Sequence, residues 1–572
     1  YVAANAAGDV HDGISWETAF TTVQSALVSS FAGDEIWVAG GTYYPDEGTE
    51  QVEGRAASTY QLKYGVALYG GFAGNETSRA QRDWVTNPTV LSGDLDQNDT
   101  IDNNTLQTII TGTNAFHVIE ANNVGSSAVL DGFTIRNGHA NGSLDTPCRD
   151  HCGAGLYSFN SSPTLTNLTF YGNQALDHGG AFYNNNSHPT LTNVLFSLNT
   201  SVKDGGAMYS EATSRPILTQ VTFSKNQAGS DGGGMYNYDS SAPTLTDVTF
   251  DANSSTTDGG GLYNYTSTPN LTNVVFKANR AGRHGGGMAN SFTSRAQMSQ
   301  VQFIGNSAAN GGGIFNERTS NTQMVDVRFF DNRATDFGGG MYNKGSSTPL
   351  VPVITNTTFI SNSANFGGGI YNSQGHPVLT NVLIAANRAM NSGGGVYNAS
   401  SSVPQFKNVT LANNQAMTDT AGVYNLSSSP QFYNTIIWGN RLSAGSNPAL
   451  QIFNKTGSTP LITYTLVENG CALGQSCYGV VQAYPLFRDS NGADNITATV
   501  DDDLHLDLGS PSADIGNNSF VTATLTGDFD HRPRIMDGDG NGSAVVDLGA
   551  YEFQRYDLRI LAAVTPAQPR PL

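Results

Sequence analysis

Apolar residues through the middle of this chain recur in a fixed order, not at helical spacing. "PTLTNLTFYGNQALDHGGAFYN" from Pro163 is followed by "PTLTNVLFSLNTSVKDGGAMYS" and "PILTQVTFSKNQAGSDGGGMYN". Further copies continue to a partial one at Ile436–Asn440. One asparagine column gives the period: Asn173, Asn199, Asn226, Asn253, Asn279, Asn306, Asn332, Asn362, Asn387, Asn414 and Asn440, mostly 26 or 27 residues apart. Each unit holds short β-branched and aromatic runs broken by Gly, Pro, Asn and Ser, which predicts strands and turns. Runs this short cannot make a stable sheet alone, so successive copies must stack.

One unit per coil gives an all-β chain, a single-stranded right-handed parallel β-helix with the shape of a pectin-lyase-like solenoid. Coils ~4.8 Å apart would make eleven of them a rod of ~50 Å. Parity locates a corner. In "LTNLTF" the two leucines, Leu165 and Leu168, are three apart, so one straight strand cannot bury both. The bend falls on Asn167, Asn193, Gln220, Asp247, Asn273 and Gln300, residue types that tolerate turns and form amide ladders. Phe170, Phe196, Phe223, Phe250, Phe276, Phe303, Phe329 and Phe359 should stack inside.

The repeated Gly-Gly-Gly or Gly-Gly-Ala, as in Asp231–Asn237, precedes an apolar column such as Met208, Met235 and Leu262. Ten copies without Gly-Lys-Ser/Thr exclude a phosphate loop and leave a tight corner. With that column inside, the next one points out: Tyr183, Tyr209, Tyr236, Tyr263, Tyr342, Tyr371, Tyr397 and Tyr424. An exposed aromatic stripe would suit a glycan or a second subunit, whereas reversed parity would make it core. Upstream, "SWETAFTTVQSALVSS" sets Trp16, Ala19, Phe20, Val23 and Leu27 at helical spacing behind Ser15 as a cap. That helix would close the open edge of the first coil. The organisation expected is 1–115 cap and first coils, 116–490 repeat helix, 491–556 C-terminal cap module and 557–572 tail or docking segment.

Composition and local sequence change the picture at four points. A formal net charge of -20 argues against nucleic acid and anionic membranes as partners and is compatible with divalent cations. No apolar run is long enough for a transmembrane helix. A chain opening on Tyr1 fits removal of a secretory leader, and equally a start chosen for expression. Cys148/Cys152 and Cys471/Cys477 are close pairs, expected as local disulfides of an extracellular protein; His151 beside Cys152 keeps a zinc-like alternative open.

Candidate chemistry is sparse. Neither His-Glu-x-x-His nor Gly-x-Ser-x-Gly occurs. Asp204, Asp231 and Asp258 precede the glycines on consecutive coils and would form an acidic stripe, a Ca²⁺ or catalytic site or simply turn residues in water. His178, His284 and Lys203 lie beside it. "DGDGNGS" alternates Asp537, Asp539 and Asn541, and "GDLDQND" alternates Asp94, Asp96 and Asn98, as oxygen-rich Ca²⁺ loops do. Asn-x-Ser/Thr triplets such as Asn199-Thr200-Ser201 arise naturally in such a repeat.

The pairing of Gly205–Met208 with Phe223–Asn226, and of Gly312–Ile314 with Phe329–Asn332, resembles the passenger repeats of chlamydial polymorphic outer-membrane proteins. That resemblance implies a surface-exposed β-helix with an adhesive role. "SPSADIGNN" and "VVDLGAYEF" resemble a choice-of-anchor module, which implies a secreted or surface-attached protein. No run of alternating amphipathic strands follows to form an outer-membrane barrel. The sequence thus points to an extracellular, non-enzymatic structural or adhesive protein, self-assembling laterally or head to tail into a surface layer or filament. A Ca²⁺-dependent polysaccharide lyase or hydrolase and a glycan-binding surface protein are the alternatives.

Overall fold

The structure is a computed structural model describing residues 1–553 apart from 8, 144–147, 443–450, 472–475 and 500. The expected tail 557–572 and the last residues of the expected 491–556 module lie outside the described residues. The chain winds as a right-handed parallel β-helix of about 11 turns. Three parallel sheets form its walls. The kinked sheet carries the "LTNLTF" runs, a second sheet has short strands such as Gln174–Ala175, and the tyrosine sheet carries strands such as Met208–Glu211.

Register follows the sequence repeat. Leu165 pairs with Leu191, Leu168 with Val194 and Phe170 with Phe196. The corner is where parity put it: Asn167, Asn193, Gln220 and Asp247 have φ of 51°, 54°, 56° and 55°. Pairing runs through the bend in some coils, as in Thr190–Ser197, and splits in others, as in Thr244–Thr246 and Thr249–Asp251. The phenylalanine column is fully buried and stacked, with centroids 4.9 Å apart for Phe170–Phe196 and 4.5 Å for Phe329–Phe359.

The asparagines that mark the period are a buried ladder. Asn253 Oδ1 accepts from the backbone N–H and side-chain Nδ2 of Asn226, at 3.0 and 2.9 Å. Its Nδ2 donates to Phe223 O at 2.9 Å and Asn279 Oδ1 at 3.0 Å. Both polar atoms of this side chain, at 0 % exposure, are used, which offsets the cost of burying the amide. A second ladder links Asn237, Asn264, Asn290 and Asn316 in the tyrosine sheet, each donating to the next at 2.9 Å.

Each glycine of Gly232–Gly234 answers a different constraint. Gly232 turns the chain at φ 66°. A Cβ on Gly233 would sit 2.3 Å from Gly260 O on the next coil, and one on Gly234 2.9 Å from the Phe250 ring. The last position is the permissive one, because Ala181 and Ala207 occupy it in other coils.

The N-terminal helix is shorter than its periodicity suggests. It spans Val23–Ser29, with Thr22 as the N-cap accepting from Ser25 N, so Ser15 is not the cap. Backbone pairing overrides the apolar spacing upstream: Phe20 N donates to Tyr1 O and Ala3 N to Phe20 O. Val23, Ala26 and Leu27 still seal the first coil. The C-terminal module is also displaced from expectation. Residues 503–506, 527–534 and 546–553 do not simply cap the rod's end but lie along the outside of the kinked sheet. Leu504, Leu506, Leu548 and Phe553 pack there against Leu383, Ala412, Ile436 and Leu466.

Candidate functional site

Two features bring polar side chains together over several coils. The first is a groove along the bend of the kinked sheet. A left-handed residue in every coil turns the strand inward on its solvent side, and stacking turns that notch into a furrow. Asn193, Gln220, Asp247, Asn273 and Gln300 are exposed within it. One stretch encloses about 410 Å³ between Trp84, Asn167, Asn193, Leu195 and Gln220. The next encloses about 590 Å³ between Asp247, Asn273, Gln300, Asp326 and Arg328. The expected amide ladder is present at Asn193 Nδ2 to Asn167 Oδ1, 2.7 Å, and Asn273 Nδ2 to Asp247 Oδ1, 2.5 Å.

Further along, the same column is covered by the C-terminal module. Asn434 Oδ1 accepts from Asn517 N at 2.8 Å, and its Nδ2 donates to Asn517 O at 3.1 Å. Asn381 Nδ2 donates to Gly527 O at 2.7 Å. His531 Nε2 reaches to 3.6 Å from Asp326 Oδ1, where the cover ends. The open groove therefore runs between Trp84 and His531.

The second feature is a ridge of acids and histidines on the turns before the glycines. The structure aligns Asp204, Asp231 and Asp258 with the His178 and His284 already placed beside them, and adds Asp177 and Arg283. Repulsion between the stacked carboxylates is partly relieved by donors from the next coil. Asp204 Oδ1 accepts from Asp231 N at 3.2 Å, and Asp231 Oδ1 from Asp258 N at 2.9 Å and from the Thr257 hydroxyl. Arg283 grips Asp258 at 3.0 and 2.7 Å, and His284 Nδ1 lies 3.0 Å from it. Burial, with Asp231 nearby, pushes the Asp204 carboxyl up to about 6. Burial also pushes Asp231 up, whereas for Asp258 the bonds from His284 and Arg283 outweigh burial and hold it down. His178, 3.4 Å from Asp204, is driven down to about 4 by burial and stays neutral near pH 7.

The tyrosine stripe requires a correction. Its parity is as expected, since Tyr183, Tyr209, Tyr236, Tyr263 and Tyr342 form a cluster separate from the main core. It is not exposed: Tyr183 keeps 3 % and Tyr236 7 % of its surface, Tyr397 and Tyr424 are equally covered, and Tyr371 is partly buried. The glycine turn folds back over the rings, with the position of a Gly232 Cβ only 2.9 Å from Tyr236 Cβ. His178 stacks on Tyr209 with centroids 4.4 Å apart, and each ring covers its neighbour. The stripe is a second, outer core.

The two oxygen-rich loops differ. Asp94 accepts from Asn98 N and Asp99 N at 3.0 and 3.1 Å, Asp96 from Thr113 N at 2.9 Å, and Asn98 Oδ1 from Thr111 Oγ1 at 2.7 Å. Those groups brace separate parts of one loop. Asp537 and Asp539 instead meet Asp514, their ligand oxygens within 4.8 Å. Asn541 serves the loop, its Nδ2 donating to Asp539 at 2.9 Å. Asp514 was invisible to local spacing because it comes from a distant turn. Both cysteine pairs are joined, Cys148 to Cys152 and Cys471 to Cys477.

Comparison with known proteins agrees with this fold. The family described as right handed beta helix region matches residues 94–280. No curated protein matches by sequence. Among solved structures, the periplasmic alginate epimerase AlgG is similar over 64 % of this chain and 78 % of its own, at 10 % identity and a TM-score of 0.35. The pectate lyase Pel9A is similar over 97 % and 96 %, at 12 % identity and a TM-score of 0.28. Likeness at this level carries nothing about chemistry.

Proposed function

We propose that this is an extracellular scaffold that binds an extended polysaccharide along the open groove of the kinked sheet. The observation that carries the proposal is the column Asn193, Gln220, Asp247, Asn273 and Gln300, exposed on consecutive coils in one furrow. Amide and carboxylate side chains each offer paired hydrogen-bonding atoms, which suit the neighbouring hydroxyls of a sugar ring. A coil is about as thick as one unit of an extended sugar chain is long, so the pattern can repeat with the ligand. Trp84 lies at one end of the furrow and offers an apolar ring face for a sugar to pack on. The net charge of -20 favours an uncharged or cationic glycan over an acidic one. Two cystines fit an oxidising compartment. Among the described residues no helix is long and apolar enough to cross a membrane.

Screening the full chain against immobilised neutral, amino-sugar and acidic polysaccharides tests this. Retention on neutral or cationic polymers, lost in an Asn193→Leu/Asn273→Leu variant, is expected; no retention on any polymer contradicts it. A second reading rests on Asp204, whose carboxyl near 6 beside His178 suits acid–base chemistry on a glycosidic bond. New reducing or unsaturated ends, abolished by Asp204→Asn, would make the protein an enzyme.

A further inference from the structure

The loop 148–152 meets the ridge at a cluster of four metal-type ligands. The ligand atoms of Cys148, His151, Cys152 and Asp177 all lie within 4.8 Å of one another. Three of these residues are nine-tenths buried or more: His151 at 4 %, Cys152 at 0 % and Asp177 at 7 % exposure. The histidine is oriented. Its Nδ1 pairs with Ser143 O at 2.8 Å, and Nε2 lies 3.5 Å from Asp177 Oδ2. A backbone carbonyl on one ring nitrogen is the support that holds a ligating imidazole in one tautomer with the other nitrogen free. Cys148 Sγ is 4.0 Å from the same Asp177 oxygen. The His178 backbone N–H points at Cys152 Sγ from 3.4 Å, a contact that favours a thiolate.

Charge also balances. Two thiolates and one carboxylate around a dication leave one negative charge. Lys203 Nζ, 2.6 Å from Asp177 Oδ1, neutralises it.

In the structure the two sulfurs are joined as a cystine. We propose that the reduced form of this loop is a four-ligand Zn²⁺ site built from Cys148, His151, Cys152 and Asp177. Two equivalents of a small thiol reduce the Cys148–Cys152 bond and leave as one disulfide. Each cysteine thiol then releases a proton as its sulfur binds the metal. Cystine and zinc are mutually exclusive, and they tie different things. The cystine closes a loop of sequence separation 4. The metal clips that loop to Asp177 on the following turn.

The test uses the full chain with Cys471→Ser and Cys477→Ser, reduced, with folding followed by circular dichroism and Co²⁺ alone as the probe. One equivalent should give the visible absorption of a tetrahedral site with thiolate-to-cobalt charge transfer, displaced by Zn²⁺. Asp177→Asn and His151→Gln should each weaken binding by at least about 10-fold. The oxidised chain should show no such spectrum. Folded, reduced protein without the tetrahedral spectrum, or variants with unchanged affinity, would overturn the proposal. If reduction unfolds the chain, Zn²⁺ added during refolding should restore the β-sheet spectrum, and failure to do so also overturns it.

Discussion

Asn253 is fully buried with its whole amide spent, in four hydrogen bonds to three neighbouring residues. Asn253→Ala strands the Asn226 N–H, takes the side-chain donor from Phe223 O, and leaves Asn226 Nδ2 with Phe196 O and Asn279 Oδ1 with the backbone N–H of residue 253. The cost should be on the order of 2–3 kcal/mol, read as a fall in the urea midpoint, because a stranded buried donor loses its full solvation and the remaining ladder bonds are lost with it. A loss below ~1 kcal/mol would contradict the ladder's role. The asparagine column was plain in the sequence as a period, but its burial was not. Nothing in a single Asn distinguishes a turn residue from a ladder rung; only the repetition of Asn at one register does. Asp204 behaves differently, because its charge is only partly relieved. Its folded pKa, about 6, stands above the ordinary 3.8, so the folded state binds the proton more tightly. Stability at this site is therefore lost as pH rises from about 4 to about 6. Asp204→Asn should raise stability at pH 7.5 by on the order of 2 kcal/mol and change little at pH 4. Equal shifts at both pH values would count against that assignment.

Among elements, the strand bend and the glycine turn were readable because each breaks a parity rule in every copy. The C-terminal module was not, since its docking depends on which outer face of the rod is apolar. Leu383, Ala385 and Ala412 stand there in columns that Thr222, Thr249, Ser224 and Asp251 occupy in earlier coils. The helix start was misplaced for a related reason, as strand pairing to Tyr1–Ala3 outcompeted local periodicity. The module also carries a pH signature. Burial would lower His505, but its hydrogen bonds to Asp503 and, at 2.7 Å, to Asp530 raise it to about 9. That stabilisation is complete below about 6.5 and is lost as pH rises through about 9. Amide exchange at 503–506 and 528–534 should speed up between pH 6.5 and 9.5 beyond the intrinsic base effect, by on the order of 10-fold. His505→Gln should abolish the extra acceleration; an unchanged excess in that variant would contradict it.

At the scale of the whole molecule, the rod presents one long furrow. It is open beside Asn193–Gln300 and closed by the chain's own module beside Asn381 and Asn434. Sequence pattern favoured the tyrosines outside, as a stripe for a glycan or a second subunit. The glycine turn folds over them, and the exposed polar column lies instead at the bend of the kinked sheet. A binding surface made of stacked coils implies that affinity depends on ligand length. The decisive measurement is calorimetry with a size series of oligosaccharides from the polymer retained in the screen. Affinity should climb with each added unit until the open coils are filled and then level off, with the climb lost in Asn193→Leu/Asn273→Leu. Affinity that is independent of length, or a climb that survives those substitutions, would contradict the groove as the site.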